Sequence, residues 1–132
     1  MPKSIETQLM FTGCAREALD LYVKTFDGAV LDAVHYPSDH PSQAGQIQRA
    51  VFELCGQRFA CMDSEDVHDF SFTPSISVFV EMESASELQR VYDVLAEEGS
   101  VLMPMDNYGF SEQFVWFNDR YGVSWQLNYG ST

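Results

Sequence analysis

Hydrogen-bonding side chains alternate with apolar ones in residues 123–129. Ser124, Gln126 and Asn128 share one face of this run, and Val123, Trp125 and Leu127 share the other. Residues 114–117 precede it, and Asn118, Asp119 and Gly122 between the two runs are typical of a β-hairpin turn. Because the apolar face must be buried, we expect the hydroxyl and amide face to line a cavity that binds a ligand.

Other side chains with suitable chemistry extend this candidate small-molecule site. Hydroxyls and amides would form hydrogen bonds with a ligand, or would satisfy one another or hold water in a polar core. Aromatic rings would stack on a planar ligand, or would belong to the ordinary core. A methionine near the cavity mouth would adapt to varied ligands or fill a gap. The predicted ligand-binding residues are Gln8, Met10, Arg49, Arg58, Ser75, Ser77, Phe79, Met103, Tyr108, Phe114, Trp116, Ser124 and Gln126.

Arg49 and Arg58 are notable because the chain contains only seven lysines and arginines. Strand alternation predicts that both side chains point to the cavity face of adjacent strands, so either could pair with an anionic ligand. The alternative is a structural ion pair with Glu53. The sequence leaves both interpretations open.

Catalytic and metal-binding motifs have little support. His35, Asp39 and His40 lie in or beside a Pro-rich loop without a recognised ligand spacing, and no GxSxG sequence occurs. Strand alternation predicts that Cys61 points away from the cavity, and we interpret it as a small buried apolar residue. No strand is followed by the Gly-rich turn of the common nucleotide-cofactor fold. We therefore predict no metal ligand and no cofactor, and we identify no catalytic residue.

Composition restricts the class of protein. The 132 residues are 45% hydrophobic, enough for a packed interior, and their formal net charge of −13 opposes binding to nucleic acid or to anionic membranes. No apolar run has the length of a membrane span, and residues 1–8 lack a signal-peptide core. The three cysteines form no CxxC pair, which favours a reduced, cytoplasmic protein.

Hydrophobic periodicity predicts an α+β fold in which one plan occurs twice. Each half has a strand, a helix that ends near glycine (Gly28 or Gly99), and three more strands. Gly28 is predicted to end the first helix in a left-handed cap. Ser84 and Glu87 form a predicted capping box before the second helix. Residues 64–74 are predicted to be a linker, within a single domain of residues 1–132 made of modules 4–63 and 75–129. The predicted strands are 4–11, 30–36, 47–54, 58–63, 75–81, 100–105, 114–117 and 123–129.

Four stretches carry a resemblance to a known family: 72–80, 99–104, 108–111 and 119–127, with a softer match over 11–22. With the repeated plan, they make the chain similar to the PhnB-like branch of the vicinal oxygen chelate superfamily, often labelled demethylubiquinone methyltransferase-like. The resemblance implies the glyoxalase/bleomycin resistance fold, in which two βαβββ modules form a curved mixed sheet around a central cavity. The modules would pair within one chain or by exchange between two, and we expect a homodimer.

The resemblance also implies where metal-dependent relatives hold their ion. Those positions correspond to Gln8, Ala60, Ser75 (or Ser77) and Gln126. None of these side chains is a carboxylate or an imidazole, and an amide is a poor ligand for a transition metal. We therefore expect no metal centre there, and with it no glyoxalase or dioxygenase chemistry.

Three functions remain open. The first is a small-molecule-binding protein with a metal-free pocket, and the second is a metal-independent enzyme acting on a small aromatic or quinone-like substrate. The third is a partner-binding subunit in which the same residues are only core. The methyltransferase label is not supported, because the Gly-rich nucleotide-binding turn is missing and the chain is short for that fold.

Overall fold

The computed structural model describes residues 1–131, with side chains described through Gly130. The chain divides into two compact units, Met1–Asp69 and Phe70–Thr132. The boundary lies inside the predicted linker, where the described residues form neither helix nor strand. No helix among the described residues is long and apolar enough to cross a membrane.

The first unit contains one helix and one four-stranded sheet. Its elements are β1 (Thr7–Phe11), α1 (Ala15–Phe26), β2 (Ala29–His35), β3 (Ile47–Leu54) and β4 (Gln57–Asp63). The strand order is β1-β4-β3-β2, with β1 parallel to β4 and the other pairs antiparallel.

The second unit repeats this arrangement. Its elements are β5 (Val78–Met82), α2 (Ala85–Leu95), β6 (Ser100–Asp106), β7 (Ser111–Asn118) and β8 (Ser124–Ser131). The strand order β5-β8-β7-β6 has the same directions as the first sheet. The predicted α+β fold of two βαβββ modules is therefore confirmed, as is the final hairpin.

Each helix covers one face of its own sheet. In α1 periodicity predicts a buried stripe of Ala18, Leu21, Tyr22, Thr25 and Phe26. Ala18, Tyr22 and Thr25 are buried, but Leu21 and Phe26 are only half-buried, and Leu19 is buried instead. In α2 periodicity predicts a buried stripe of Leu88, Val91, Tyr92 and Leu95; three of these are buried, and Tyr92 is half-buried. These side chains lie at helical spacing, so that packing on the sheet stabilises helices too short to persist alone.

The predicted left-handed cap at Gly28 is wrong. The residue in the left-handed conformation is Asp27, with φ of 51°, and Gly28 is needed for a different reason. A Cβ at Gly28 would lie 2.3 Å from the carbonyl oxygen of Glu53, and one at Gly99 would lie 2.1 Å from that of Asn118. Both glycines therefore allow the chain leaving each helix to press against a strand.

Two predicted strand boundaries and half of the predicted capping box differ from the structure. The first strand begins at Thr7 rather than residue 4, and β5 begins at Val78 rather than Ser75. The hydroxyl of Ser84 accepts the backbone N–H of Glu87 at 3.1 Å, as a capping box requires. The carboxylate of Glu87 does not complete that box, because it accepts hydrogen bonds from Arg90 instead.

Candidate functional site

The open face of the second sheet, opposite α2, carries a row of four predicted site residues. Phe79 on β5 pairs with Gln126 on β8, Gln126 pairs with Trp116 on β7, and Trp116 pairs with Met103 on β6. Paired residues of neighbouring strands point to the same face. An amide side chain therefore lies between two aromatic ones, with a thioether at the end of the row.

Hydrogen bonds organise the polar part of this face. The indole N–H of Trp116 donates to the hydroxyl of Ser124 at 2.8 Å, and Ser124 shares a hydrogen bond with the hydroxyl of Ser77 at 2.7 Å. The amide nitrogen of Gln126 also donates to Ser77, at 3.4 Å. These polar groups therefore satisfy some of one another's hydrogen-bond donors and acceptors, as one of the two alternatives predicted.

Gln126 keeps hydrogen-bonding capacity beyond this network. Its side chain has one acceptor oxygen and two N–H donors. Of these, one N–H contacts Ser77, and no other hydrogen bond to the amide is formed by the described residues. The side chain is half-buried between Phe79 and Trp116. Gln126 can therefore offer both an acceptor and a donor to a ligand on this face.

An aromatic cluster lies beside the row. Phe114 is 4% exposed, and its ring centroid lies 6.5 Å from that of Phe79, 5.9 Å from Tyr108 and 5.0 Å from Phe110. Those three outer rings remain 54%, 37% and 44% exposed, respectively. Sequence reasoning missed Phe110, although the Tyr108-Gly109-Phe110 spacing was a usable signal. The cluster combines a rigid apolar platform with accessible ring surface.

A second row on the same face carries acidic groups. Glu81 on β5 pairs with Asn128 on β8, which pairs with Phe114 on β7, which in turn pairs with Asp106 on β6. The amide of Asn128 donates to the carboxylate of Glu81 at 2.8 Å. Asp106 is exposed, and one of its oxygens accepts the backbone N–H of Asn107. Carboxylates therefore border the aromatic cluster.

Ser75 does not join this arrangement. It lies in the turn before β5, and its hydroxyl forms a hydrogen bond with Thr73 at 2.8 Å. In the first sheet Gln8 pairs with Ala60, and the matching pair of the second sheet is Phe79 with Gln126. The strand position that the sequence assigned to Ser75 or Ser77 is therefore occupied by Phe79.

The remaining predicted residues lie on the open face of the first sheet. Gln8 and Met10 are on β1, Arg49 on β3 and Arg58 on β4. Arg49 donates to Gln8 at 3.2 Å and forms an ion pair with Glu6 at 2.9 Å, so the expected pair with Glu53 is wrong for Arg49. Arg58 pairs with Glu53 across the two strands as a backbone neighbour, and its side chain is exposed.

The described side chains on both sheets are poorly suited to bind a metal ion. The described residues include no group of three or more His, Cys, Asp or Glu side chains placed to hold a metal ion. His40 is used otherwise, because its Nδ1 accepts the backbone N–H groups of Ser42 and Gln43 at 3.2 and 2.9 Å. The amide, methyl and phenyl groups of Gln8, Ala60 and Phe79 are not a donor set that a transition metal selects.

The buried thiol of Cys61 and the half-buried thiol of Cys14 are not activated as nucleophiles. Burial, reinforced by the charge of Asp63, raises the pKa of Cys61 to about 12. Burial likewise raises the pKa of Cys14, with Asp63 and Glu17 acting in the same direction. A reactive cysteine needs a lowered pKa, so neither thiol has the environment of a catalytic one.

Two buried carboxylates organise the backbone; the sequence predicted a turn position for Asp119 but no role for Asp63. Asp63 accepts the backbone N–H groups of Gly13, Ala15 and Ile47 at 2.8, 3.0 and 3.1 Å, which links the start of α1 to the start of β3. Asp119 is buried at the turn between β7 and β8. Neither carboxylate is on the open face of its sheet, so we interpret both as structural.

Comparison with known proteins agrees with this fold. A family model described as 3-demethylubiquinone-9 3-methyltransferase matches residues 3–128. Similar solved structures include a putative 3-demethylubiquinone-9 3-methyltransferase, PhnB protein, from Bacillus cereus, with 42% identity and a TM-score of 0.91 over 97% of this chain and 100% of that chain. Protein PA1353 from Pseudomonas aeruginosa is 26% identical, with a TM-score of 0.83 over 99% and 100% of the two chains.

A more distant likeness extends beyond this family at the level of the fold. A glyoxylase/bleomycin resistance protein/dioxygenase domain from Frankia is 13% identical, with a TM-score of 0.66 over 98% of this chain and 93% of that chain, and shows the shared fold alone. No curated protein matches significantly. Taken with the repeated βαβββ units, the family match shows that the chain belongs to the 3-demethylubiquinone-9 3-methyltransferase family, the PhnB-like branch of the vicinal oxygen chelate superfamily.

Proposed function

We propose that the protein binds a small planar molecule on the open face of the second sheet, without a metal. The observation that supports this most directly is the row in which Gln126 lies between Phe79 and Trp116. Aromatic side chains supply stacking area, and the amide supplies orientation through hydrogen bonds. Ligand sites commonly combine an apolar lining with a few placed polar groups.

The hydrogen-bond network supports the proposal because it fixes the polar groups before a ligand arrives. Ser124 holds the indole of Trp116, and Ser77 holds the amide of Gln126. Side chains held in this way lose less conformational entropy on binding. The exposed rings of Phe79, Tyr108 and Phe110 extend the surface available to a flat ligand.

The proposal assigns binding, and not methyl transfer, despite the family's description. Each unit is a mixed βαβββ sheet with a single parallel strand pair. The common nucleotide-cofactor fold instead needs a parallel strand, a Gly-rich turn and a helix whose N-terminus holds the phosphates. That arrangement does not occur in residues 1–131.

Duroquinone is a suitable first probe, because it is planar, carries two carbonyl groups and is fully substituted, so it does not alkylate the exposed Cys55. We expect saturable quenching of tryptophan fluorescence, with equilibrium dialysis as an independent measurement of binding. The Trp116→Phe variant should lose most of the quenching, because Trp125 is buried on the helix side of β8. Cyclohexanone, which lacks the planar ring, should bind more weakly.

Gln126→Leu tests the polar contact. Loss of a hydrogen bond worth about 1 kcal/mol should weaken duroquinone binding by about fivefold. Gln89→Leu on the exposed side of α2 is the matched control and should bind as tightly as the unmodified protein. Failure of duroquinone and of quinoline to bind the folded protein at concentrations up to about 1 mM would overturn the proposal. Conversion of duroquinone to a new product would instead favour a metal-independent enzyme.

A further inference from the structure

We infer that the ligand of this face is an uncharged or cationic aromatic molecule and not an anionic one. This inference rests on the proposed function and narrows it to a chemical class. It depends on where the second unit places its carboxylates and its cations, and not on the aromatic rings themselves.

Two carboxylates border the aromatic surface. Glu81 follows Phe79 by two residues on β5 and therefore lies on the same face, where it is exposed. Asp106 lies on β6 at the opposite edge of the sheet, where it pairs with Phe114, and it is also exposed. A flat ligand resting on the exposed rings of Phe79 and Tyr108 would lie between these two negative charges.

The arginine side chains of the second unit form their contacts at α2, on the other side of the sheet from the open face. The two basic residues among residues 70–131 are Arg90 and Arg120. Arg90 lies on α2 and forms an ion pair with Glu87 at 2.6 Å. Arg120 donates to the backbone carbonyls of Val94 and Glu97 at 3.1 and 3.2 Å, at the end of that helix. Neither guanidinium is therefore placed to neutralise a carboxylate, phosphate or sulfonate on the open face of this sheet.

The chemistry of the rings acts in the same direction as the charges. The face of an aromatic ring is the negative part of its quadrupole, so it attracts cations and disfavours anions. Unit charges a few ångströms apart near a protein surface interact by about 1 to 4 kcal/mol, depending on the effective dielectric constant. Even the lower limit corresponds to about a fivefold difference in affinity.

Three probes with one ring skeleton separate charge from shape: quinoline, N-methylquinolinium and quinaldate, which are neutral, cationic and anionic near neutral pH. We expect N-methylquinolinium to bind at least as tightly as quinoline, and quinaldate to bind at least about fivefold more weakly. The preference should decrease when the salt concentration is raised, because the carboxylates are exposed. Equilibrium dialysis measures all three without relying on fluorescence.

The variant Glu81→Gln/Asp106→Asn should remove most of the charge preference while retaining quinoline binding. The matched control Asp93→Asn/Glu98→Gln changes the net charge by the same amount, on the exposed side of α2 and just beyond its end, and should keep the preference. Binding of quinaldate as tightly as quinoline by the unmodified protein would overturn the inference alone, as would an equal loss of preference in both double variants. Failure of all three probes to bind would overturn the proposed function and the inference together.

Discussion

The indole N–H of Trp125 donates to the carboxylate of Asp119 at 2.9 Å, and both residues are almost fully buried. The other oxygen of Asp119 accepts the backbone N–H groups of Tyr121 and Val123 at 2.8 and 3.1 Å. One side chain therefore fixes the turn between β7 and β8 and orients the largest ring of the second unit's core.

Asp119→Ala should reduce the free energy of unfolding by about 3 kcal/mol, because buried donors lose their charged acceptor. Asp119→Asn keeps one acceptor oxygen and should cost less. Urea denaturation followed by circular dichroism measures both changes. Asp93→Ala, on the exposed side of α2, is the control and should change stability by less than about 0.5 kcal/mol. A loss that small for Asp119→Ala would contradict the role assigned to this carboxylate.

Gly99→Ala should destabilise the protein by about 3 kcal/mol, because the new Cβ would overlap the carbonyl oxygen of Asn118 and force the backbone apart. Gly28→Ala should behave similarly through its contact with Glu53. Gly109 provides the comparison: its φ is +92°, and a Cβ there meets no atom within 4 Å. Gly109→Ala should therefore cost only the backbone penalty of about 1 kcal/mol. Equal losses at positions 99 and 109 would argue against the close-approach explanation.

The three thiols should react with iodoacetamide in the order Cys55, Cys14, Cys61. Cys55 is exposed, whereas burial raises the pKa of Cys14 and raises that of Cys61 to about 12. At about pH 8 only about one Cys61 side chain in ten thousand would be a thiolate, so its labelling should require unfolding. Peptide mass spectrometry over time measures the order, and rapid labelling of Cys61 in the folded protein would contradict it.

The same thiol gives a pH dependence with a defined sign. The pKa of Cys61 is higher in the folded than in the unfolded state, so unfolding releases a proton at alkaline pH. Its contribution to stability is complete below the unfolded value of about 8.5 and decreases as the pH rises towards 12. Cys61→Ala should flatten this part of the stability curve, whereas Cys55→Ala should leave its slope unchanged.

Purified protein should contain less than about a tenth of an equivalent of transition metal, and chelation should leave its melting temperature unchanged. The reason is the neutral chemistry of Gln8 and Ala60 in the first sheet and of Phe79 and Gln126 in the second. Elemental analysis and thermal denaturation with and without a chelator measure the two outcomes. Stoichiometric metal lost from a Gln126→Leu variant, but retained by Gln89→Leu, would contradict the metal-free proposal.

We expect sedimentation to give about twice the chain mass of 15.0 kDa at about 10 μM. Both β2 and β6 are edge strands, and Val30, Leu31 and Val34 on β2 are 46%, 44% and 48% exposed. Exposed apolar edges favour association, which a charge at the edge opposes. Leu31→Lys should shift the protein towards monomer if β2 is part of the contact. A mass of 15.0 kDa for the unmodified protein under these conditions would contradict the expected homodimer.

The sequence alone determined the order of the elements, the repeated plan and the side-chain faces within single strands. These features follow from local physics: apolar residues recur every second or every third to fourth position, and Gly and Asn mark turns. Trp125 and Ser124 could therefore be assigned to opposite faces of β8 before their neighbours were known. Local pattern also placed Gly28 correctly just after α1, although it assigned the wrong reason there. Gly99 was predicted to end the second helix, but α2 ends at Leu95, four residues earlier.

Tertiary structure decided how strands distant in the sequence align. Parallel pairing of β5 with β8 placed Phe79, and not Ser75, beside Gln126, and it brought the hydroxyls of Ser77 and Ser124 within 2.7 Å. Asp63 likewise accepts the N–H groups of Gly13 and Ala15, which precede it by 50 and 48 residues in the sequence. The register of such pairs is set by the packing of whole faces against a helix, and periodicity within one strand carries no information about it.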